Sequence, residues 1–319
     1  MENVILLADE NSKVWDFAKK IQEYIMEKKC EEIKLYNVPI SFFRNNEIQI
    51  DPPENIRKKD VYFIQDSSKN PQQWWIELLL IKDMVLGASA ASLTFVLPNM
   101  LYSRQDRKVK SRVPISARAL ASSLSPGTCR IITMDLHAPQ IQGFYPATTP
   151  LDNLYSSPEV VNYLKQKAIF DPEEIVVVSP DMGGASRAES FAKRIGSKHP
   201  IAMINKKRVR PGEVSQMRIV GDVSNKNVIV VDDLIDSGGT LCAAAGLLKQ
   251  NGANKLFCYA THGLFTKGIL ELSSSFEKIF TSNTHYQEGN GVEVIDVSSV
   301  FAEAIFRAQK GYSLSQLFK

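Results

Sequence analysis

Cysteine is scarce in this chain: Cys30, Cys129, Cys242 and Cys258 are scattered over 319 residues with no CxxC pair. That spacing excludes a disulfide framework and a thiolate zinc site, and it fits reduced, packed thiols. No apolar run of about 18 residues occurs, and the N-terminus carries no cleavable-leader pattern. The expectation is a cytoplasmic protein without a membrane partner. An excess of charge of one sign is also missing, since 38 Lys and Arg face 35 Asp and Glu for a net charge of +3. Bulk charge therefore does not point to nucleic acid, and local basic clusters matter more. What is present is ordinary for a globular chain, with 44% hydrophobic and 23% charged residues, and the length allows two cores of about 150 residues each.

Apolar β-branched runs recur with helical segments between them: VILLA near Val4, VYFIQ near Val61, LTFVL near Leu93, IITMD near Ile131, IVVVSPD near Ile175 and VIVVDD near Val228. Such alternation predicts an α/β protein with mainly parallel sheets flanked by helices. Val14 to Lys28 has the amphipathic spacing of a covering helix, with apolar residues at Val14, Phe17, Ala18, Ile21, Tyr24 and Ile25. The turn-rich YPATTPLDN, Tyr145 to Asn153, is the best candidate linker. It divides the chain into 1–150 and 151–319, with apolar runs ending at Asp135 in one half and at Asp232 and Asp233 in the other. That parallel suits a duplicated α/β domain.

The densest chemistry lies in VIVVDDLIDSGGT, Val228 to Thr240. An apolar strand stops at two adjacent acids, and a short glycine turn opens a helix-forming segment, TLCAAAGLL. Free N–H groups at a helix start and the helix dipole favour an anion, and Ser237 and Thr240 add hydroxyls. Asp232 and Asp233 would repel a phosphate, so they suit sugar hydroxyls or a Mg2+ shared with a phosphorylated ligand. Standing alone, the segment also fits a plain strand end with solvated acids.

Five further constellations stand out. LYSRQDRKVKSRVPISAR crowds Arg104, Arg107, Lys108, Lys110, Arg112 and Arg118 into one run. It fits a polyanion site or a solvated loop, and without interleaved aromatics it argues poorly for single-stranded nucleic acid. Pro114 and the following ISARALASSL read as a helix with proline in its first turn. TMDLH sets His137 two residues after the strand-ending Asp135, and VVVSPDMGG puts Asp181 before Gly183 and Gly184, a tight turn suited to pyrophosphate. INKKRVRPG concentrates Lys206, Lys207, Arg208 and Arg210, a mobile cationic loop or a solvated charge run. FFRNNE sets Phe43 among polar residues, and Trp74 and Trp75 read most simply as core or interface.

The VIVVDDLIDSGGT segment resembles the fingerprint shared by type I phosphoribosyltransferases and ribose-phosphate pyrophosphokinases (PRPP synthetases), and alone it does not separate them. SRQDRK, DLH, SPDMGG and the Lys-x-Arg of KKR are similar to the pyrophosphokinase family almost end to end, whereas a PRPP-consuming transferase would have no use for SRQDRK followed by DLH. The resemblance implies two similar phosphoribosyltransferase-type domains, the first on the ATP side, with the C-terminal tail returning to it. It implies transfer of the β,γ-pyrophosphoryl group of ATP to ribose 5-phosphate, with Mg2+ as cofactor. By position it makes Lys206 and Arg208 catalytic. It assigns ATP to Arg104, Gln105 and Asp106, and to Phe43, Asn45 and Glu47 from a neighbouring subunit. Ribose 5-phosphate falls to Asp232, Asp233, Asp236, Ser237, Gly238, Gly239 and Thr240, and metal to His137 and Asp181. It further implies a homo-oligomer, a hexamer built from dimers. A non-catalytic subunit of the same family is the rival from another class.

Overall fold

The structure, a computed structural model, describes residues 1–207, 216–285 and 291–318. It forms two compact units, one of Met1–Tyr155, Thr284–Tyr286 and Val297–Lys319, the other of Ser156–Asn283 and Gln287–Asp296.

In the first unit the chain runs β1 (Val4–Ala8), α1 (Trp15–Lys29), β2 (Lys34–Asn37), a small hairpin of β3 (Ile40–Phe42) and β4 (Ile48–Ile50), then β5 (Asp60–Ile64), α2 (Pro71–Gly87), β6 (Ser92–Leu97), α3 (Ser116–Leu124), β7 (Arg130–Met134) and β8 (Leu151–Leu154). The six-stranded sheet has the order β2-β1-β5-β6-β7-β8, parallel throughout. Every residue of VILLA is buried because helices cover both faces. Ile5 and Leu7 join the core under Trp74, Leu78 and Leu120, and Val4, Leu6 and Ala8 join the one under Phe17, Ile21 and Phe301. Side chains alternate between faces along a strand, so both faces must be apolar, which makes the run continuous rather than alternating.

The second unit adds α4 (Ser157–Gln166), β9 (Ile175–Ser179), α5 (Ala185–Ile195), β10 (Ala202–Lys207), β11 (Gln216–Val220), β12 (Asn227–Ile235), α6 (Gly239–Gln250), β13 (Leu256–Gly263), α7 (Leu270–Ser275), β14 (Lys278–Ser282) and β15 (Val292–Ile295). Its seven strands lie in the order β11-β10-β9-β12-β13-β14-β15, and only β10 and β11 pair antiparallel. The last helix, α8 (Ser298–Lys310), belongs to the first unit, where Phe301 meets Phe17 of α1 edge to face at 5.4 Å.

Both sheets start in the middle, go to one side, then reverse. The reversal falls between β1 and β5 in one unit and between β9 and β12 in the other. In open α/β sheets the crevice beyond the strand ends at such a reversal is where ligands bind. This repeated topology gives physical form to the duplication suggested by the acid-terminated strands.

Two local expectations need correcting. Pro114 lies before the helix rather than in its first turn, because Ile115 is an extended N-cap and the Ala117 N–H is tied to the Gln105 carbonyl at 3.2 Å. The end of YPATTPLDN is not a connector, since Leu151–Leu154 pairs with β7 and the Asn153 side chain accepts the Leu136 N–H at 3.0 Å. Among the described residues, no helix is long and apolar enough to cross a membrane.

Candidate active site

At the reversal in the second unit, β12 carries Asp232 and Asp233 before its last turn of sheet, and the chain then bends through Asp236, Ser237 and Gly238 into α6. Gly238 has φ 79°, and a Cβ there would stand 2.6 Å from Leu272, so conformation and space both require glycine. The first-turn N–H groups of α6 have no intrahelical acceptor and point outward from this bend. The bend is braced from β13: the Leu264 N–H donates to the Ile235 carbonyl at 2.8 Å, and the Thr266 hydroxyl donates to Asp236 at 2.8 Å.

Beside it, the loop after β9 is built on a buried serine. The Ser179 hydroxyl donates to the Asp181 carbonyl at 2.6 Å, and the Gly184 N–H donates to Asp181 Oδ1 at 3.0 Å. A Cβ on Gly184 would sit 2.7 Å from Ser179 Oγ, which explains a glycine at the start of α5. Asp181 itself is exposed. From the first turn of α5, Arg187 reaches back with Nη1 at 2.9 Å from Asp233 Oδ1 and 3.5 Å from Asp232 Oδ1. The sequence reading passed over Arg187. Its signal was a lone arginine one turn into the helix after SPDMGG, opposite a strand end bearing two acids.

The two carboxylates differ in environment. Asp233 is 7% exposed and paired, whereas Asp232 keeps 21% of its side chain in solvent. Burial and then the Asp233 charge push the Asp232 carboxyl well above the usual carboxylate range, up to about 8, against the opposing pull of Arg187. The folded chain thus holds a proton at the Asp232–Asp233 pair more tightly than the unfolded chain does. Stability falls as pH rises across that window. Asp232→Asn is therefore expected to raise the thermal midpoint of the unliganded protein at about pH 8.5 and to change it little at about pH 4. A lowered midpoint at the higher pH in calorimetry would contradict the strained-acid picture.

In the first unit, Arg104, Gln105 and Asp106 lie on the loop after β6, and His137 lies on the turn after β7. The loop is anchored at both ends. The Asn99 N–H donates to Ser67 Oγ at 3.0 Å, and the Ser116 hydroxyl donates to Gln105 Oε1. Gln140 Nε2 donates to Asp106 at 2.7 Å, which draws the His137 turn against the arginine loop. His137 is exposed. Phe43, Asn45 and Glu47 occupy the exposed tip of the β3–β4 hairpin, closed by the Phe43 N–H to the Glu47 carbonyl at 2.9 Å. Trp74 is core and Trp75 half-buried.

The structure therefore gathers Asp181, Asp232, Asp233 and Asp236–Thr240 at one sheet end, and Arg104–Asp106 with His137 at another. Lys206 is the penultimate residue of β10, in register with Met217 of β11, and Arg208 lies outside the described residues. Among the described residues there is no cluster of three or more His, Cys, Asp or Glu that could hold a metal by itself. Asp181 nevertheless fits a hard dication such as Mg2+, which takes one or two carboxylates and completes its shell with water and substrate phosphates. One Asp181 oxygen is fixed by Gly184, and the carboxylate is exposed for that role. A cavity of about 500 Å3 at the opposite end of the first sheet is a poor alternative site. Its Ser125, Thr128 and Thr149 hydroxyls all donate to backbone carbonyls.

The chain matches known proteins along most of its length. Residues 5–126 match the model of the N-terminal domain of ribose phosphate pyrophosphokinase, and residues 198–319 match the phosphoribosyl synthetase-associated domain. The chain is 36% identical to a ribose-phosphate pyrophosphokinase of Cereibacter sphaeroides over 95% of its own length and 91% of that protein. It is 39% identical to ribose-phosphate pyrophosphokinase 2 of Schizosaccharomyces pombe, over 90% of each. The crystal structure of phosphoribosylpyrophosphate synthetase from Mycobacterium smegmatis superposes with a TM-score of 0.86 at 30% identity, covering 97% of this chain and 99% of that one.

Proposed function

Because the chain belongs to the ribose-phosphate pyrophosphokinase family, we propose that it transfers the β,γ-pyrophosphoryl group of ATP to O1 of ribose 5-phosphate, giving PRPP and AMP. The observation that carries this reading is the meeting of Asp232, Asp233 and the Asp236–Thr240 bend at the reversal of the second sheet. A sugar phosphate needs those two features side by side: hydroxyl acceptors, and an anion site at a helix start.

In the mechanism, the 5-phosphate takes the N–H groups and hydroxyls of Ser237 to Thr240, and Asp232 accepts from a ribose hydroxyl. Arg104, Gln105 and Asp106 bind the nucleotide, with the Arg104 guanidinium at its phosphates, and the Phe43 hairpin of a neighbouring copy receives the adenine with Asn45 and Glu47. In the first unit His137, and in the second unit Asp181, would each offer a ligand to Mg2+, which would supply Lewis-acid offset of phosphate charge. O1 loses its proton and attacks the β-phosphorus in line, and the bond from that phosphorus to the bridging oxygen of AMP breaks. Lys206 and Arg208 meet the charge on the group in flight, so catalysis is positioning and electrostatics with no covalent enzyme intermediate. The first unit is thus the ATP domain and the second the ribose 5-phosphate domain.

We assign the active form to a homo-oligomer, a hexamer built from dimers. The α2 helix supports this: it is apolar around most of its circumference, with Trp74, Leu78 and Ile81 inside yet Ile76, Leu80 and Leu86 each at least 38% exposed. Four unpaired thiols, among the described residues, fit a reducing cytoplasm. Purified protein given ATP, Mg2+ and ribose 5-phosphate is expected to release AMP and PRPP in equal amounts. AMP formation that does not depend on ribose 5-phosphate would reject the assignment.

A further inference from the structure

Two acids side by side at a site for a sugar phosphate pose an electrostatic problem. Each carboxylate raises the cost of the other, and both repel the incoming phosphate. In the second unit the local answer comes from α5, whose Arg187 sits in the first helical turn with Ala188, Phe191 and Ala192 of the same helix buried in the core. Packing fixes the helix, and so fixes the origin of the guanidinium. Its Nη1 lies 2.9 Å from Asp233 and 3.5 Å from Asp232, a close bond to one acid and a longer reach to the other. The Asp233 N–H closes the arrangement by donating to Asp232 Oδ1 at 2.9 Å.

We propose that Arg187 is a positioning residue for ribose 5-phosphate: it commits Asp233 to the protein and orients Asp232 as the acid left to the sugar hydroxyls. The inference rests on the assignment of this site to ribose 5-phosphate. Asp233 is 7% exposed and occupied, so it serves as the anchor, while the 21% exposure of Asp232 leaves it the face toward solvent. A cation beside the acids also lowers the repulsion that the 5-phosphate meets on approach. Arg187 touches neither substrate in this role. A lysine at the position would supply charge without the planar fork, and so would recover only part of the effect.

The test uses the full chain with Arg187→Ala, Arg187→Lys and the double variant Arg187→Ala with Asp233→Asn. AMP and PRPP formation are measured against each substrate, with fold monitored by circular dichroism. Arg187→Ala is expected to raise KM for ribose 5-phosphate on the order of tenfold or more, with KM for ATP within about twofold. Arg187→Lys should recover part of the loss, and the double variant should bind ribose 5-phosphate better than Arg187→Ala alone, because the unpaired charge has gone. A purely structural arginine would lower the active fraction and leave KM for ribose 5-phosphate unchanged, and that result overturns the positioning role while the wild type remains active. A wild type that forms no AMP from ribose 5-phosphate overturns the functional assignment and the positioning role with it.

Discussion

Lys206→Ala lowers turnover on the order of a thousandfold and leaves ribose 5-phosphate affinity within about twofold. The ground is the timing of the contact. On the proposed assignment, ribose 5-phosphate is held by the α6 start, Asp232 and the Asp236–Thr240 bend, none of which needs a lysine. A cation that meets charge on the transferring group acts only while that group is between oxygens, so its loss appears in kcat and not in binding. Lys206 is well situated for such a task by its backbone. It stands at the end of β10, one strand from β9 and on the side of the reversal that carries Asp181. Stopped-flow turnover paired with calorimetric binding of ribose 5-phosphate to the same variant checks both halves. Equal losses in the two would return Lys206 to ordinary substrate binding. Arg208→Ala is the companion measurement.

Much of this arrangement was legible in the sequence, for identifiable reasons. Strands buried on both faces are written as unbroken apolar runs, so β1, β5, β6, β7, β9 and β12 could be read directly. β2 could not, because KLYN is a half-exposed edge with no apolar run. α2 was hidden for the opposite reason: PQQWWIELLLIKDMVLG is apolar on most sides, so its helical period is faint even though Asn70 caps it by accepting the Gln72 N–H. The bend between β12 and α6 was legible because DDLIDSGGT carries its acids, hydroxyls and glycines close together in sequence. Arg187 was not, since it meets Asp232 and Asp233 across 45 residues of chain and only strand order brings them together. The same holds for Ser179, a buried serine whose purpose shows only when Asp181 and Gly184 are seen folded around it.

The reversal crevice of the first sheet holds the other large effect, and it sets apart two sheets of like topology. At the end of β1 and just past β5, Lys69 Nζ lies 3.2 Å from Asp9 Oδ2 and 3.0 Å from Glu77 Oε2. Glu77 has no exposed surface, and Gln65 and Gln73 each donate to it at 2.8 Å. Every oxygen of Glu77 is thereby used inside the protein. The crevice is filled by its own ion pairs, whereas the matching crevice of the second unit leaves Asp232 open to a ligand. A buried carboxylate that loses its cation keeps the desolvation cost without the attraction, which amounts to about 3–5 kcal/mol. The two glutamine donors temper this, so Lys69→Met is expected to destabilise the first unit by about 3 kcal/mol. All three tryptophans, Trp15, Trp74 and Trp75, lie in that unit, so their fluorescence during urea unfolding reports on it alone. Adding Glu77→Gln to Lys69→Met should recover most of the loss, because the stranded charge is removed with its partner. A loss under about 1 kcal/mol in the single variant, or no recovery in the double, would show that water reaches Glu77 and that the first crevice is open after all.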